Sequence, residues 1–374
     1  MNLPRIAVIG GAGFIGTRIV ESFHLLGWGH VRPVVRRVSA LARSSRFKLD
    51  GRVADGRDQK ALAVALTGCE YVIHAAGGDD RTILELVGPV YRAAQHAGVR
   101  RIVYVSSASV HGQSPPPGTE ENSRLRADQA ISYNNAKVRA ERRFLYLRHK
   151  GDVEIVLLRP AIVYGPRSSW IGSFANELLT GSAFVVQGAR GICNSIYVDN
   201  LVYAIRLAMV ADGVDGHAFL LGDAETVIWR DLYEPIARAF GVAFDEIPSV
   251  EASFSRPPGF ELIMRMRDSR LGRAVLPVFP KRLRHAAYMG LSGWHEYQPG
   301  GSPPSREEEP PRLPDLERSL LQTCSWRLSS QKAERMLGYS PQVSFEEGCR
   351  RSIEWLRFAG YPVIQNSGEY QSYA

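Results

Sequence analysis

Through its first 110 residues the chain alternates short apolar runs with stretches whose apolar residues recur at helical spacing. The runs cover residues 5–9, 31–35, 52–54, 70–76 and 101–106, and helical stretches fill 14–26, 59–66 and 82–97. Strands covered on both faces read as near-continuous apolar runs, and their alternation with helices of this length specifies a parallel sheet. The pattern predicts a doubly wound α/β domain. The rhythm breaks at Ser114-Pro-Pro-Pro-Gly118, a loop signal, then resumes as a charged helix over 132–149 and a strand over 154–158. A strand over 195–198 leads into a helix over 200–210, and 217–221 reads as another strand. We therefore expect a main domain over 1–165 to which 192–224 returns, and a smaller α/β region built from 166–191 and 225–364. Within the latter, 296–315 carries six prolines and three consecutive glutamates and is expected to be a mobile insertion.

Composition narrows the class. With 374 residues, 45% apolar and 22% charged, the chain is ordinary globular protein, which excludes fibrous and fully disordered classes. No stretch approaches the roughly 18 to 20 apolar residues that span a bilayer. The opening Met-Asn-Leu-Pro-Arg runs into a glycine-rich strand and turn instead of the apolar core of an export signal. Cys69, Cys193, Cys324 and Cys349 are widely spaced, with no pair suited to zinc. Buried thiols in a reducing cytoplasm and no metal site are the expectation. The net charge of +8 comes from 40 Arg and 6 Lys spread among acidic residues, so nucleic acid is not an expected partner. One basic segment, 256–285, suits a solvated helix face, a phosphate contact or attachment to a membrane surface.

Candidate chemistry begins at Gly10-Gly-Ala-Gly13-Phe14-Ile15-Gly16, between the first strand and the first helix. A glycine turn there lets backbone amides and a helix N-terminus approach a pyrophosphate. About 20 residues later the ribose-reading position holds Arg36 and Arg37, where NAD-specific sites carry a carboxylate. A guanidinium suits the 2′-phosphate, so NADP is favoured over NAD, although an arginine also stacks on adenine. Asp55 closes the third strand and could accept from the adenine amino group, while His74-Ala75-Ala76-Gly77 would let the backbone pass close to the cofactor. The fifth strand ends in Ser106-Ser107, and Tyr133 and Lys137 follow at helical spacing on one face. A lysine beside a tyrosine stabilises phenolate and brings it toward acid–base use, with a serine sharing the polarisation of a carbonyl.

These pieces, with Val105-Ser-Ser-Ala-Ser-Val-His-Gly112, Leu158-Arg-Pro160-Ala-Ile-Val-Tyr-Gly-Pro166, Ile196-Tyr-Val-Asp-Asn-Leu201 and Leu337-Gly-Tyr-Ser-Pro341, resemble the extended short-chain dehydrogenase/reductase family. The likeness is to its epimerase/dehydratase-like branch and spans nearly the whole chain. It implies a Rossmann-type sheet, catalytic Ser107, Tyr133 as acid–base, and Lys137 binding the nicotinamide ribose and tuning Tyr133. Gly10, Gly13, Phe14, Ile15, Gly16, Arg36, Asp55, Ala75, Ala76, Tyr133, Lys137 and Pro160 are the implied cofactor contacts. A homodimer through the Tyr133 helix and its neighbour is implied as well.

Departures from the family pattern are visible. If Gly88 is the glycine of the helix before the fifth strand, Glu85 occupies the usual asparagine position, and the segment from His74 to Glu85 is short. Ala108-Ser109 stands where dehydratases carry Asp-Glu, and His111 replaces a frequent tyrosine. The resemblance implies hydride transfer at a secondary alcohol or ketone carbon of a small-molecule substrate. Three outcomes stay open: a nucleotide-sugar epimerase, an NADPH-dependent reductase or dehydrogenase of a sterol-like or other ketone, and a non-catalytic nucleotide-binding subunit.

Overall fold

The computed structural model describes residues 3–254 and 314–364. The basic segment 256–285 and, apart from Pro314 and Asp315, the proline-rich segment 296–315 lie outside the described residues.

Seven parallel strands form the central sheet: β1 (Arg5–Ile9), β2 (His30–Val35), β3 (Arg52–Val53), β4 (Tyr71–His74), β5 (Arg101–Val105), β6 (Glu154–Pro160) and β10 (Ala218–Leu221). Their order is β3-β2-β1-β4-β5-β6-β10, so the winding direction reverses between β1 and β4. Ligands in open α/β sheets settle at the carboxyl ends of the strands beside such a reversal. The pleat distributes side chains to two cores. Ile6, Val8, Val103, Val105, Val156 and Leu158 meet α1 (Phe14–Leu25) and α6 (Val198–Val210) on one face. Ala7, Ile9, Ile102, Tyr104, Ile155 and Leu157 meet α2 (Gln59–Leu66), α3 (Asp80–His96) and α4 (Ser132–Arg148) on the other. This is the doubly wound, Rossmann-type arrangement that the alternation of runs predicts.

The third strand is shorter than its sequence run. It pairs with β2 through Arg52 and Val53 at the sheet edge, with the Ala54 amide donating to the Val35 carbonyl at 2.9 Å, so Asp55 lies two residues beyond the strand, in the turn before α2. Four short strands, β7 (Ile162–Tyr164), β8 (Val185–Val186), β9 (Ser195–Tyr197) and β11 (Ser249–Val250), form two small parallel pairs outside the main sheet. Helices α5 (Ser169–Thr180) and α7 (Trp229–Ala239) enclose a third core, in which Phe174 stacks on Tyr233 at 4.0 Å. The tail adds α8 (Leu316–Gln322), α9 (Gln331–Leu337) and α10 (Phe345–Phe358).

Arginines that interrupt the apolar strands have structural work. Arg101, 1% exposed, donates through Nη1 to the carbonyls of Ala208, Met209 and Ala211 at 3.0, 2.8 and 2.7 Å, closing the C-terminus of α6. Arg32 does the same for Ala65 and Thr67 at the end of α2. Terminal helix carbonyls have no intrahelical donor, and a buried guanidinium supplies several at once.

Near the carboxyl edge of the sheet Arg159 of β6 and Glu141 of α4 form a buried pair, with Nη2 to Oε2 at 2.8 Å and Nε to Oε1 at 3.1 Å. Ser106 donates to Glu141 Oε1 at 2.5 Å, and Arg159 Nη1 donates to the Glu121 carbonyl and His111 Nε2. Removing one partner of a buried pair leaves an uncompensated charge. Glu141→Leu alone is expected to lower unfolding free energy by about 3–5 kcal/mol in a urea titration. The double variant Glu141→Leu/Arg159→Met is expected to lose less than the single one.

Candidate active site

The chain leaves β1 through Gly10 at φ +86°, a backbone region that disfavours other residues. Each glycine in the turn has its own cause. A Cβ on Gly10 would lie 2.6 Å from the Ala76 nitrogen, and one on Gly16 would lie 2.0 Å from the Gly10 oxygen. These two glycines are demanded by the protein's own packing, the first against the β4 exit and the second between α1 and the turn. Gly13 differs: it is exposed, and its Cβ would meet only the Gly10 oxygen at 3.4 Å. It is also the N-cap of α1 and offers the first-turn amides no side-chain acceptor. Open space, uncapped amides and the positive end of a helix dipole together fit a pyrophosphate. Phe14 and Ile15, half-buried, turn inward to the third core and the α1 face of the sheet.

Arg36 and Arg37 follow β2 on the exposed rim of this turn, and no described residue bonds the Arg36 side chain. A second cation, Arg43, donates to the Ala12 carbonyl within the turn at 2.5 Å. Nothing in the sequence separates Arg43 from the many other arginines. Asp55 accepts from the Arg57 amide at 2.9 Å, a local turn that leaves the second carboxylate oxygen 4.0 Å from Arg57 Nη1. Ala75 bonds the Ile9 carbonyl at 2.9 Å and, with Ala76, walls the turn from the β4 side. Pro160 is buried at the end of β6.

Ser107 caps the short helix after β5, accepting from the Ser109 amide at 3.2 Å. Tyr133 opens α4, and its phenol meets the Ser107 hydroxyl. One turn on, Lys137 is 3% exposed, donates Nζ to the Val105 carbonyl at 2.9 Å, and sits 5.8 Å from the Tyr133 ring centre and 4.8 Å from that of Tyr104. The three residues converge at the carboxyl end of β5. Burial pushes the Tyr133 phenol up to about 12, against the pull of Ser107, with the Glu317 and Asp80 carboxylates adding to the rise. Burial likewise brings Lys137 down to about 8, opposed by Glu141. The phenol is therefore raised here, where a lowering by Lys137 is expected from the spacing, because burial and nearby carboxylates dominate its surroundings. At neutral pH it is a phenol, a proton donor.

Glu85 is far from filling an asparagine's place in this cluster. It lies on the outer surface of α3, paired with Arg57 at 2.7 Å and Arg81 at 2.5 Å. His74 is fully buried between Tyr104 and Phe144, and burial with Lys137 nearby lowers it to about 3, so it stays neutral. His111 is held near 4 by burial and Arg159, consistent with a structural histidine.

One contributor is invisible in the sequence. Gln113 donates to Glu317 Oε1 at 2.6 Å, bringing a carboxylate of α8 to the catalytic helix about two hundred residues away in sequence. Among the described residues no group of three His, Cys, Asp or Glu could hold a metal, and no helix is long and apolar enough to cross a membrane.

The two kinds of glycine separate in a direct test. Gly16→Ala must displace the Gly10 carbonyl and is expected to lower the Tm and nucleotide affinity together. Gly13→Ala is expected to keep stability within about 1 kcal/mol while weakening NADPH binding at least about tenfold, read by cofactor fluorescence.

Comparison with known proteins agrees with this geometry. Residues 6–222 match the model of the NAD dependent epimerase/dehydratase family. A 3 beta-hydroxysteroid dehydrogenase/Delta 5→4-isomerase of Mycobacterium tuberculosis is 30% identical over 271 residues, 64% of this chain and 70% of that protein. A UDP-glucose 4-epimerase of Mycolicibacterium smegmatis is 25% identical over 94% of this chain and 98% of its own. In three dimensions the chain is similar to a Thermotoga maritima UDP-glucose 4-epimerase solved with UDP-glucose, at TM-score 0.66 and 21% identity, covering 95% and 99% of the two chains. A Streptomyces venezuelae dTDP-glucose 4,6-dehydratase solved with NAD gives 0.67 and 20%, covering 95% and 97%. The chain belongs to the NAD dependent epimerase/dehydratase family, an enzyme of the extended short-chain dehydrogenase/reductase type.

Proposed function

We propose that the chain is an NADP-preferring oxidoreductase that reduces a ketone, or oxidises the matching secondary alcohol, on a neutral and largely apolar substrate. The observation that carries the chemistry is the convergence of Ser107, Tyr133 and Lys137 at the end of β5, on the same carboxyl edge of the sheet as the glycine turn after β1. Ser107 and Tyr133 hydrogen-bond the substrate oxygen. Tyr133, a phenol at neutral pH, gives its proton to that oxygen in the reductive direction, and Lys137 holds the ribose side of the cofactor. The nicotinamide, when bound, supplies or accepts the hydride. Arg36 and the neighbouring Arg43 support the 2′-phosphate over a bare ribose hydroxyl.

The surroundings of Tyr133 support a neutral substrate. Glu317 and Asp80 both place negative charge on the phenol. The likeness to a hydroxysteroid dehydrogenase points the same way. The second reading, a nucleotide-sugar epimerase, is supported by the UDP-glucose 4-epimerase, one of several relatives that match nearly the full length of both chains. A non-catalytic role fits poorly with a complete Ser107, Tyr133 and Lys137 set. The homodimer implied by the resemblance would set the exposed Arg139, Arg142 and Arg143 of α4 against a patch of the same charge. A sedimentation mass near 41.5 kDa, that of one chain, is the expected result.

Mass spectrometry of nucleotide released on denaturation distinguishes the two enzyme readings. Little bound nucleotide, with tighter binding of NADPH than NADH, is expected; near-stoichiometric NAD would establish the epimerase reading instead. Tyr133→Phe is expected to lower kcat by about 100-fold or more with cofactor binding retained. Arg36→Ala is expected to weaken NADPH about 10- to 100-fold and leave NADH nearly unchanged, the worth of one charge-assisted contact.

A further inference from the structure

Glu317 reaches the site from α8, outside the nucleotide-binding sheet, and its attachment is specific. Gln113 fixes Oε1 at 2.6 Å, and Gln113 Oε1 in turn accepts from Asn134 Nδ2 at 3.0 Å. Asn134 is the residue after Tyr133; it is 1% exposed, and its other amide hydrogen goes to Gln129 Oε1 at 2.9 Å. A buried chain of side chains thus couples the carboxylate to the first turn of the catalytic helix. Around this chain the Asn134 Oδ1 and Ser109 Oγ atoms are buried without partners, and Oε2 of Glu317 bonds no described residue.

Carboxylates that serve only stability are normally neutralised by a cation. Glu317 has none among the described residues, although α8 carries Arg318, which turns away to Glu177 at 2.6 Å. The groups whose charge meets Tyr133 are therefore Glu317, Asp80 and, against its ring, Lys137. Burial, with Asp315, raises the Glu317 carboxyl above its usual range against the pull of Gln113, so an anionic substrate group beside it would add a second charge to an already disfavoured one, while a hydroxyl could donate to it.

We infer that Glu317 determines substrate specificity: its carboxylate accepts a hydrogen bond from a neutral, hydroxyl-bearing substrate and turns away substrates carrying an anionic group near the reacting carbon. This deepens the ketone reading and rests on it.

The test uses two measurements on the full chain. The first replaces tyrosine with meta-fluorotyrosine and follows the fluorine resonance that Tyr133→Phe removes. In Glu317→Gln, which can keep a bond to Gln113, the pH midpoint of that resonance should fall; an unchanged midpoint would place Glu317 away from Tyr133 and overturn the inference. The second compares levulinate with its ethyl ester as ketone probes in the presence of NADPH. The native chain should favour the ester in kcat/KM, and Glu317→Gln should raise the ratio of kcat/KM for levulinate to that for the ester at least tenfold. A ratio that does not move overturns the inference. If neither probe is reduced, the ketone reading fails for this pair. Broadening of the Tyr133 resonance by each probe then decides the filter: it holds if levulinate binds only the Glu317→Gln variant, and is lost if both chains bind it equally.

Discussion

The site depends on the buried pair between Arg159 and Glu141, which fixes the catalytic helix against the sheet. α4 carries Tyr133 and Lys137 two turns and one turn before Glu141, so the height of that helix over β5 and β6 sets where both side chains emerge. Ser106 joins the same carboxylate, so the residue preceding Ser107 is held by the same group that holds the helix. Arg159 reaches on to the Glu121 carbonyl and to His111, and Glu121 in turn accepts from the Leu220 amide of β10. One ion pair therefore ties three strands and a helix at the edge that carries the candidate site. Such a pair contributes little net stability compared with apolar packing, but it permits few alternative geometries.

Arginine serves this chain in several distinct capacities, which explains why its abundance says little about partners. Arg101 and Arg32 close helix ends from inside the sheet, Arg159 braces the catalytic helix, and Arg18 and Arg351 meet at Asp199 between α1 and α10. Only guanidinium offers five donors in a fixed plane, enough to satisfy several carbonyls at once. Among the described residues Arg36 and Arg37 lie exposed after β2, and Arg43 donates to the Ala12 carbonyl of the glycine turn.

The sheet was legible because parallel strands covered on both sides leave a strong apolar signature, and the site's core was legible because Ser107, Tyr133 and Lys137 lie on consecutive elements with fixed spacing. Three features were not. The third strand was overestimated, since an edge strand with two pairing residues has no signature distinct from its turn, and Asp55 accordingly fell into that turn. Glu317 was missed because its position depends on a long-range approach of α8 to Gln113, for which local spacing carries no information. The expected electrostatics of Tyr133 also differed, because helical spacing places a lysine near a tyrosine but says nothing about the desolvation and carboxylates that surround both.

The match to the family ends at residue 222, yet the hydrophobic interior does not. Ala333 and Leu337 of α9, with Tyr339, fill the same core as Val202, Ile205 and Phe219, and the Tyr339 hydroxyl closes on the Gly222 carbonyl at 3.0 Å. On a ribosome the last strand of the sheet emerges more than a hundred residues before these side chains. At roughly 5–20 residues per second, the half-built molecule exposes that apolar wall for about 5–20 s or longer. A shortened chain ending at the sheet would expose it permanently, so the tail is a structural member of the nucleotide-binding unit and a determinant of whether the newly made chain stays free of aggregates.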